Sequence, residues 1–244
     1  MGLLLKDGAQ PSWTNYEEKP PLLLAALNGH THIVSILRSH NKPSELEEAL
    51  CDAAGASHAG VVEHLLQVGI STNSSKTQHQ HRLVVGKDHK AIVRLLLNAN
   101  ESHSCPDHAP NDFIPLHHAV RLGQVDIAAL LLDYGLNIQT RDALKRTVLF
   151  ETLSTPDLSD VNLLLVHEIN IFVCNYMGNF VLHQTARRGF VKHASLFLDQ
   201  GIKSNVWNAG GMTPLHLATK CGRYEVADLL VRKNAAVDVC GKAD

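Results

Sequence analysis

Sixteen histidines and five cysteines in 244 residues are the first chemistry this sequence offers. The densest set is His103-x-Cys105-x-x-His108, whose imidazoles and thiolate are good zinc ligands with a fourth position left open. Its spacing lacks the tight pairing of known zinc sites and it lies in a polar stretch, so it reads as loop. No metal is expected there, nor at His79 and His81. Nucleophilic catalysis needs a nucleophile, a base and an orienting group that converge. Cys221 follows Lys220 at a turn with no histidine placed to face it, and Cys174 also sits at a turn. Asp157 and Asp160 form a carboxylate pair, but they stand where a helix begins and negative charge complements its dipole. No glycine-rich phosphate loop is present, and Gly210-Gly211 reads as a turn that needs a permissive backbone. No catalytic residue and no cofactor are expected.

The elements that carry these residues repeat. Thr213-Pro214-Leu215-His216-Leu217-Ala218 returns in altered form as Val181-Leu182-His183, before that as Thr147-Val148-Leu149-Phe150, and before that as Ile114-Pro115-Leu116-His117. The step from His216 back to His183, to Phe150 and to His117 is constant. A fixed period of this length marks one small unit repeated in line. Within the last copy, Thr213 can cap a helix that Pro214 starts. Gly222 ends it, and Val226, Ala227, Leu229 and Leu230 are spaced for a second amphipathic helix. Asn234 suits a left-handed helix end, and a β-like stretch follows at Ala236–Val239.

The unit resembles the ankyrin repeat through Thr213, Pro214, Leu215, His216, Ala218, Gly222, Leu229, Leu230 and Ala235. The resemblance implies an all-α repeat solenoid of antiparallel helix pairs joined by projecting β-turn fingers. It implies a hydrogen bond between threonine and histidine, complete only at Thr213 and His216, since Ile114 and Phe150 replace one partner elsewhere. It also implies that His30, His58 and His89 are structural, and that Asn205 stands where the family can carry a hydroxylated asparagine. Helix-ending residues recur at Gly8, Asn41, Gly69, Asn100, Gly135, Glu168, Gly201 and Asn234. The reading is one domain over 1–244: a partial repeat at 1–14, then seven full repeats at 15–43, 44–73, 74–109, 110–142, 143–175, 176–208 and 209–241. Ser71 to Gln80 reads as a flexible loop and a weak point in the stack. Both ends interrupt a repeat, so the chain is expected to belong to a longer array.

Apolar residues make up 45% of the chain and aromatics only 5%, as thin helical layers packed through Leu, Val and Ala require. The net charge of −2 speaks against a nucleic-acid binder. No apolar run approaches the ~20 residues that span a bilayer, and no signal peptide is evident. Scattered, unpaired cysteines suggest a reducing compartment, cytoplasmic or nuclear.

Function is therefore expected on positions free of packing duty: finger tips and the open side of each first helix, the concave face in the family. By register these include Phe113, Arg121, Arg141, Arg146, Tyr176, Met177, Arg187, Arg188, Trp207, Met212 and Lys220. Across four repeats they hold six arginines or lysines and no carboxylate, with aromatics and methionines between. Arginine and large aromatics dominate binding energy at interfaces. The expected activity is non-catalytic protein–protein interaction, as an adaptor or scaffold, with a monomer gripping an acidic or phosphorylated protein segment. The alternative is a substrate-recognition part of a larger enzyme complex such as a ubiquitin ligase.

Overall fold

A computed structural model describes residues 13–16, 19–70, 89–99 and 115–238. Gly8, His79, His81, Asn100, His103, Cys105, His108, Phe113 and the loop read at Ser71–Gln80 lie outside the described residues. The chain divides into two compact units, Met1–Ser104 and Cys105–Asp244.

In the first unit α1 (Pro21–Leu27) and α2 (Thr31–Leu37) form a helix pair, as do α3 (Pro43–Gly55) and α4 (Ala59–Gln67); α5 (Lys90–Ala99) packs on α4. Proline opens both α1 and α3, where its missing N–H costs nothing. The Glu45 carboxylate accepts the Lys42 N–H and closes the start of α3. Leu22, Ala26, Val34, Leu50, Ala53 and Leu65 are fully buried between the pairs. The histidines that precede α4 and α5 each tie their helix to the pair before it. His58 Nε2 lies 2.8 Å from the Leu27 carbonyl, and the His89 ring hydrogen-bonds the Ser57 hydroxyl. Gly29, at φ +75°, leaves room for that ring, because a Cβ there would come within 2.5 Å of His58 Nδ1.

The second unit carries α6 (Pro115–Arg121), α7 (Val125–Asp133), a 3-10 helix (Val148–Ser154), α8 (Ser159–Val166), α9 (Val181–Arg188), α10 (Val191–Asp199), α11 (Pro214–Lys220) and α12 (Tyr224–Arg232). First helices stack in one layer, α6 on the 3-10 helix, that on α9 and α9 on α11. Second helices form the other layer, α7 on α8 and α10 on α12. Leu149, Val161, Leu164, Leu182, Phe197 and Leu230 fill the space between with no solvent exposure. Each such side chain contributes about 1.5–3 kcal/mol of burial.

One local expectation is corrected. The segment at Thr147–Phe150, read as the start of an ordinary first helix, is 3-10 throughout. Thr147 Oγ1 has no partner, so the cap is missing. The Thr152 hydroxyl instead bonds the Leu149 carbonyl, and Pro156 blocks extension. The left-handed helix ends appear at Gly69, Gly135, Glu168, Gly201 and Asn234, with φ of 83°, 80°, 57°, 93° and 60°. Asn41 also ends its helix but is extended at φ −119°, because α2 tightens into the 3-10 turn Arg38–His40 and the chain then straightens towards Pro43.

Candidate functional site

Between α7 and the 3-10 helix, and before α9 and α11, the chain makes three fingers of one design. Asp142, Asn175 and Asn208 hold the same place in successive repeats. One side-chain oxygen of each accepts two backbone N–H groups: Leu144 and Arg146, Met177 and Asn179, Gly210 and Met212. This is why the fingers keep shape without a sheet. Neighbouring fingers are also joined, Tyr176 N–H to the Leu144 carbonyl at 3.1 Å and Ala209 N–H to the Met177 carbonyl at 3.0 Å. Gly178, at φ +69°, permits that approach, since a Cβ there would lie 2.7 Å from Ala209 N.

Histidines fix the fingers to the helices. The Phe180 N–H donates to His183 Nδ1 at 3.1 Å, so the ring proton sits on Nε2 and faces the Met212 carbonyl at 3.1 Å. Burial holds this ring far below the usual histidine range, at about 4. In the last repeat the Thr213 hydroxyl lies 2.8 Å from His216 Nδ1, which also accepts the Thr213 N–H. The Trp207 ring packs on His216 at 6.0 Å between centroids.

On the open side of α9 and α11 these parts frame a groove of about 600 Å³. Met177, Arg187, Met212 and Lys220, all singled out from sequence, line it together. Gln184, Asn208, Leu217 and Cys221 complete much of the lining, and no carboxylate is among the lining residues. No ion pair or side-chain hydrogen bond compensates Arg187 or Lys220 among the described residues. The Arg223 guanidinium holds the Arg187 carbonyl at 3.2 Å and so steadies the backbone under the first of these cations. Tyr176 and Met177 stand at the groove's rim, 53% and 49% exposed.

The other expected cations behave differently. Arg146 forks onto Asp142, 2.7 Å from Nε and 2.6 Å from Nη2 to the carboxylate, and reaches Glu151 at 3.1 Å. Burial alone would raise the Glu151 carboxyl; the His117 ring and the Arg146 charge more than offset this and hold it below its ordinary range. His117, Asp142 and Glu151 each offer a ligand atom within 4.8 Å of the others, a donor set that suits a cation. The guanidinium of Arg146 already supplies that cation. Arg188 is exposed and donates to the Leu153 carbonyl of the 3-10 helix. Arg121 Nη2 lies 2.7 Å from His118 Nδ1. Arg141 is exposed at the base of its finger, where it forms an antiparallel bridge with Thr147.

One further residue departs from expectation. Asp160 is only 3% exposed and its Oδ1 has no partner. Burial first, and then the charge of Asp157, raise it to about 6, so the helix dipole does not secure its charge. The Asn205 amide bridges two repeats, its Oδ1 accepting the Ala236 N–H at 2.9 Å and its Nδ2 donating to the Asn234 carbonyl at 3.4 Å. Sequence reading missed Gln184 and Leu217 in the groove and Glu151 beside Arg146. All three share one register in consecutive repeats, a signal the sequence does carry.

Stacked helix pairs with Asx-capped fingers and a groove along the first helices define a repeat protein of the ankyrin type. The family model for ankyrin repeats (3 copies) matches residues 75–142 and 151–240, more than half of the chain. The chain belongs to the ankyrin repeat family, whose members are generally protein–protein interaction modules. It is 28% identical over 116 residues to a putative ankyrin repeat protein, FPV223, of fowlpox virus, covering 48% of this chain and 81% of that one. It is 27% identical over 154 residues to the probable E3 ubiquitin-protein ligase XBOS32 of rice, covering 50% of this chain and 31% of that protein. Dog inversin is 29% identical over 178 residues, covering 68% of this chain and 16% of its own length. The chain thus spans under a third of the rice and dog proteins. The human ASB11 ankyrin repeat domain superposes with a TM-score of 0.73 at 21% identity, covering 89% of this chain and 99% of that one, which shows the shared fold. No helix among the described residues is long and apolar enough to cross a membrane.

Proposed function

We propose that this chain is a non-catalytic adaptor or scaffold module that grips an acidic or phosphorylated protein segment in the groove along α9 and α11. The observation that carries the reading is that two cations, Arg187 and Lys220, face one groove that has no carboxylate in its lining. Thioethers of Met177 and Met212 give the same groove an adaptable apolar surface. Tyr176 and Trp207 lie on the adjoining fingers as aromatic anchors, and Phe113, Arg121 and Arg141 belong to the same proposed face. Arg146 supports it from within, because its charge is spent on Asp142 and Glu151, while exposed Arg188, hydrogen-bonded only to the neutral Leu153 carbonyl, keeps its charge on the same proposed face. The module acts as a monomer in the cytoplasm or nucleus, arranged as seven repeats, with no nucleic acid as partner.

Double charge reversal, R187E with K220E, tests this. The helical circular dichroism signal stays unchanged, since both side chains are exposed. The variant loses partners that wild type captures in a salt-sensitive manner. Unaltered affinity of the double variant for such a partner, with the fold intact, would refute the groove.

A second reading is favoured by one finding: half of the chain aligns with a probable ubiquitin ligase of rice. On that reading the same groove selects substrates for an enzyme complex. Co-purification of ligase activity with the full-length protein supports it, and a captured set without ligase components opposes it.

A further inference from the structure

Arg187 and Lys220 are one repeat apart in sequence, so they occupy the same register on two neighbouring first helices. Those helices, α9 and α11, pack directly against each other. Helices in such contact lie about 8–10 Å apart axis to axis. The groove therefore offers an anion not one convergent pocket but two cationic stations separated by about one repeat step. A chain in the polyproline-II conformation rises ~3.1 Å per residue and turns once every ~3 residues, so side chains at i and i+3 point the same way about 9 Å apart. Helix spacing and chain spacing coincide.

We propose, resting on the groove reading above, that the bound segment is an extended acidic peptide with carboxylates at i and i+3, one meeting Arg187 and the other Lys220. A single phosphate suits the site less well. Strong phosphate recognition gathers several donors on one group. Here each cation comes from a separate helix, and both stand in the last turn of their helices, Val181–Arg188 and Pro214–Lys220. Carbonyls at helix C-termini repel concentrated negative charge. Two singly charged groups, each held out on a long side chain, avoid that penalty. The polyproline-II conformation leaves the backbone of the segment free to bond the finger amides and carbonyls, and a preformed extended segment loses little entropy on docking.

The test uses the full chain and fluorescein-labelled Ala/Pro peptides read by fluorescence anisotropy at low salt. One peptide carries Glu at i and i+3, a second carries Glu at i and i+1, and a third carries one phosphoserine. The i, i+3 peptide is expected to bind at least about threefold more tightly than the other two, in line with the worth of one well-placed exposed ion pair. R187Q and K220Q each reduce it to the level of the i, i+1 peptide. Equal affinity for the two Glu peptides, with R187Q and K220Q still weakening both, overturns the spacing and leaves the groove standing. Tighter binding of the phosphoserine peptide also overturns the spacing in favour of one anion. Binding of all peptides unchanged by R187E with K220E removes the groove reading itself.

Discussion

Asp160→Asn is expected to stabilise the second unit at neutral pH, and the gain should vanish in acid. Asp160 sits in the first turn of α8, 3% exposed, with one carboxyl oxygen unpartnered. Its folded-state value is raised from 3.8 to about 6. A raised carboxyl contributes its stability fully below the unfolded value and loses it as pH climbs through about 6, because the folded state then holds a proton the unfolded chain has released. By pH 7.5 both states are ionised, and the buried charge costs about 3 kcal/mol relative to a protonated carboxyl. At pH 4.5 the folded group is protonated and the unfolded group mostly is not, so the remaining cost is about 1 kcal/mol. Asparagine keeps the shape without the charge, although its own buried amide forfeits about 1 kcal/mol or more. The net gain at pH 7.5 is then about 1–2 kcal/mol, and the difference between the two pH values is about 2 kcal/mol. Burial depresses both His183 and His193, but both are present in wild type and variant, so their contributions cancel. Urea unfolding of wild type and D160N at pH 7.5 and 4.5 measures it. An equal effect at both pH values would mean that the carboxyl is not perturbed and that the account of its burial is wrong.

Other expectations follow from the same geometry. Arg146→Met leaves Glu151 buried beside Asp142 without its cation and should cost about 2–3 kcal/mol in urea unfolding, while binding of acidic peptides stays unchanged; a loss of binding without loss of stability would return Arg146 to the partner surface. His183 has a depressed folded value near 4, so stability should fall as pH drops from about 6.5 towards 4, by up to about 3 kcal/mol. His183→Gln should flatten that acid limb while costing about 1–3 kcal/mol at pH 7 through its lost hydrogen bonds, and a limb of unchanged slope would show that other groups set it. Gly178→Ala meets both a positive φ and the Ala209 backbone, whereas Gly201→Ala meets only the positive φ with open space around it. G178A should therefore destabilise clearly more than the ~1 kcal/mol expected of G201A, and equal melting shifts would contradict the close approach of the fingers.

The helix pairs were legible because hydrophobic period and chain punctuation agree in each copy. Thr213, Pro214 and Gly222 mark one helix, and Val226 and Leu230, both fully buried, mark the inner face of the next. The 3-10 helix was not legible from the repeat alone. Val148 and Leu149 keep the apolar pattern, and both are fully buried as the pattern demands. What sets this segment apart is the Thr152 hydroxyl bonded to the Leu149 carbonyl three residues back and a proline at position 156, features that decide hydrogen bonding rather than burial. The fingers were legible only as turns. Their shape comes from Asp142, Asn175 and Asn208, whose shared interval is as regular as that of the apolar residues but carries its meaning in side-chain oxygens.

That Met177, Arg187, Met212 and Lys220 share one face was legible from register, but which cations stay unpaired was not, and the reason is geometric. Counting cations at chosen register positions treats each repeat face as a single line of residues. The face is wider than a line. The row through Glu151, Gln184 and Leu217 and the row through Asp142, Asn175 and Asn208 border the same surface. Where both rows carry a carboxylate, in the repeat of the 3-10 helix, Arg146 is drawn down to Asp142 and Glu151 and its charge is lost to a partner. One and two repeats later the same rows carry Asn175 with Gln184 and Asn208 with Leu217. No acid is left within them to neutralise Arg187 or Lys220. The basic stripe is therefore shorter than its arginine count suggests. It begins where those two rows turn neutral, and replacing Gln184 by Glu should close it: a carboxylate in the lining beside Arg187 ought to abolish the salt-sensitive binding of acidic peptides while leaving the urea midpoint within about 0.5 kcal/mol of wild type. Retained binding in Q184E would show that the neutral rows do not define the groove's charge.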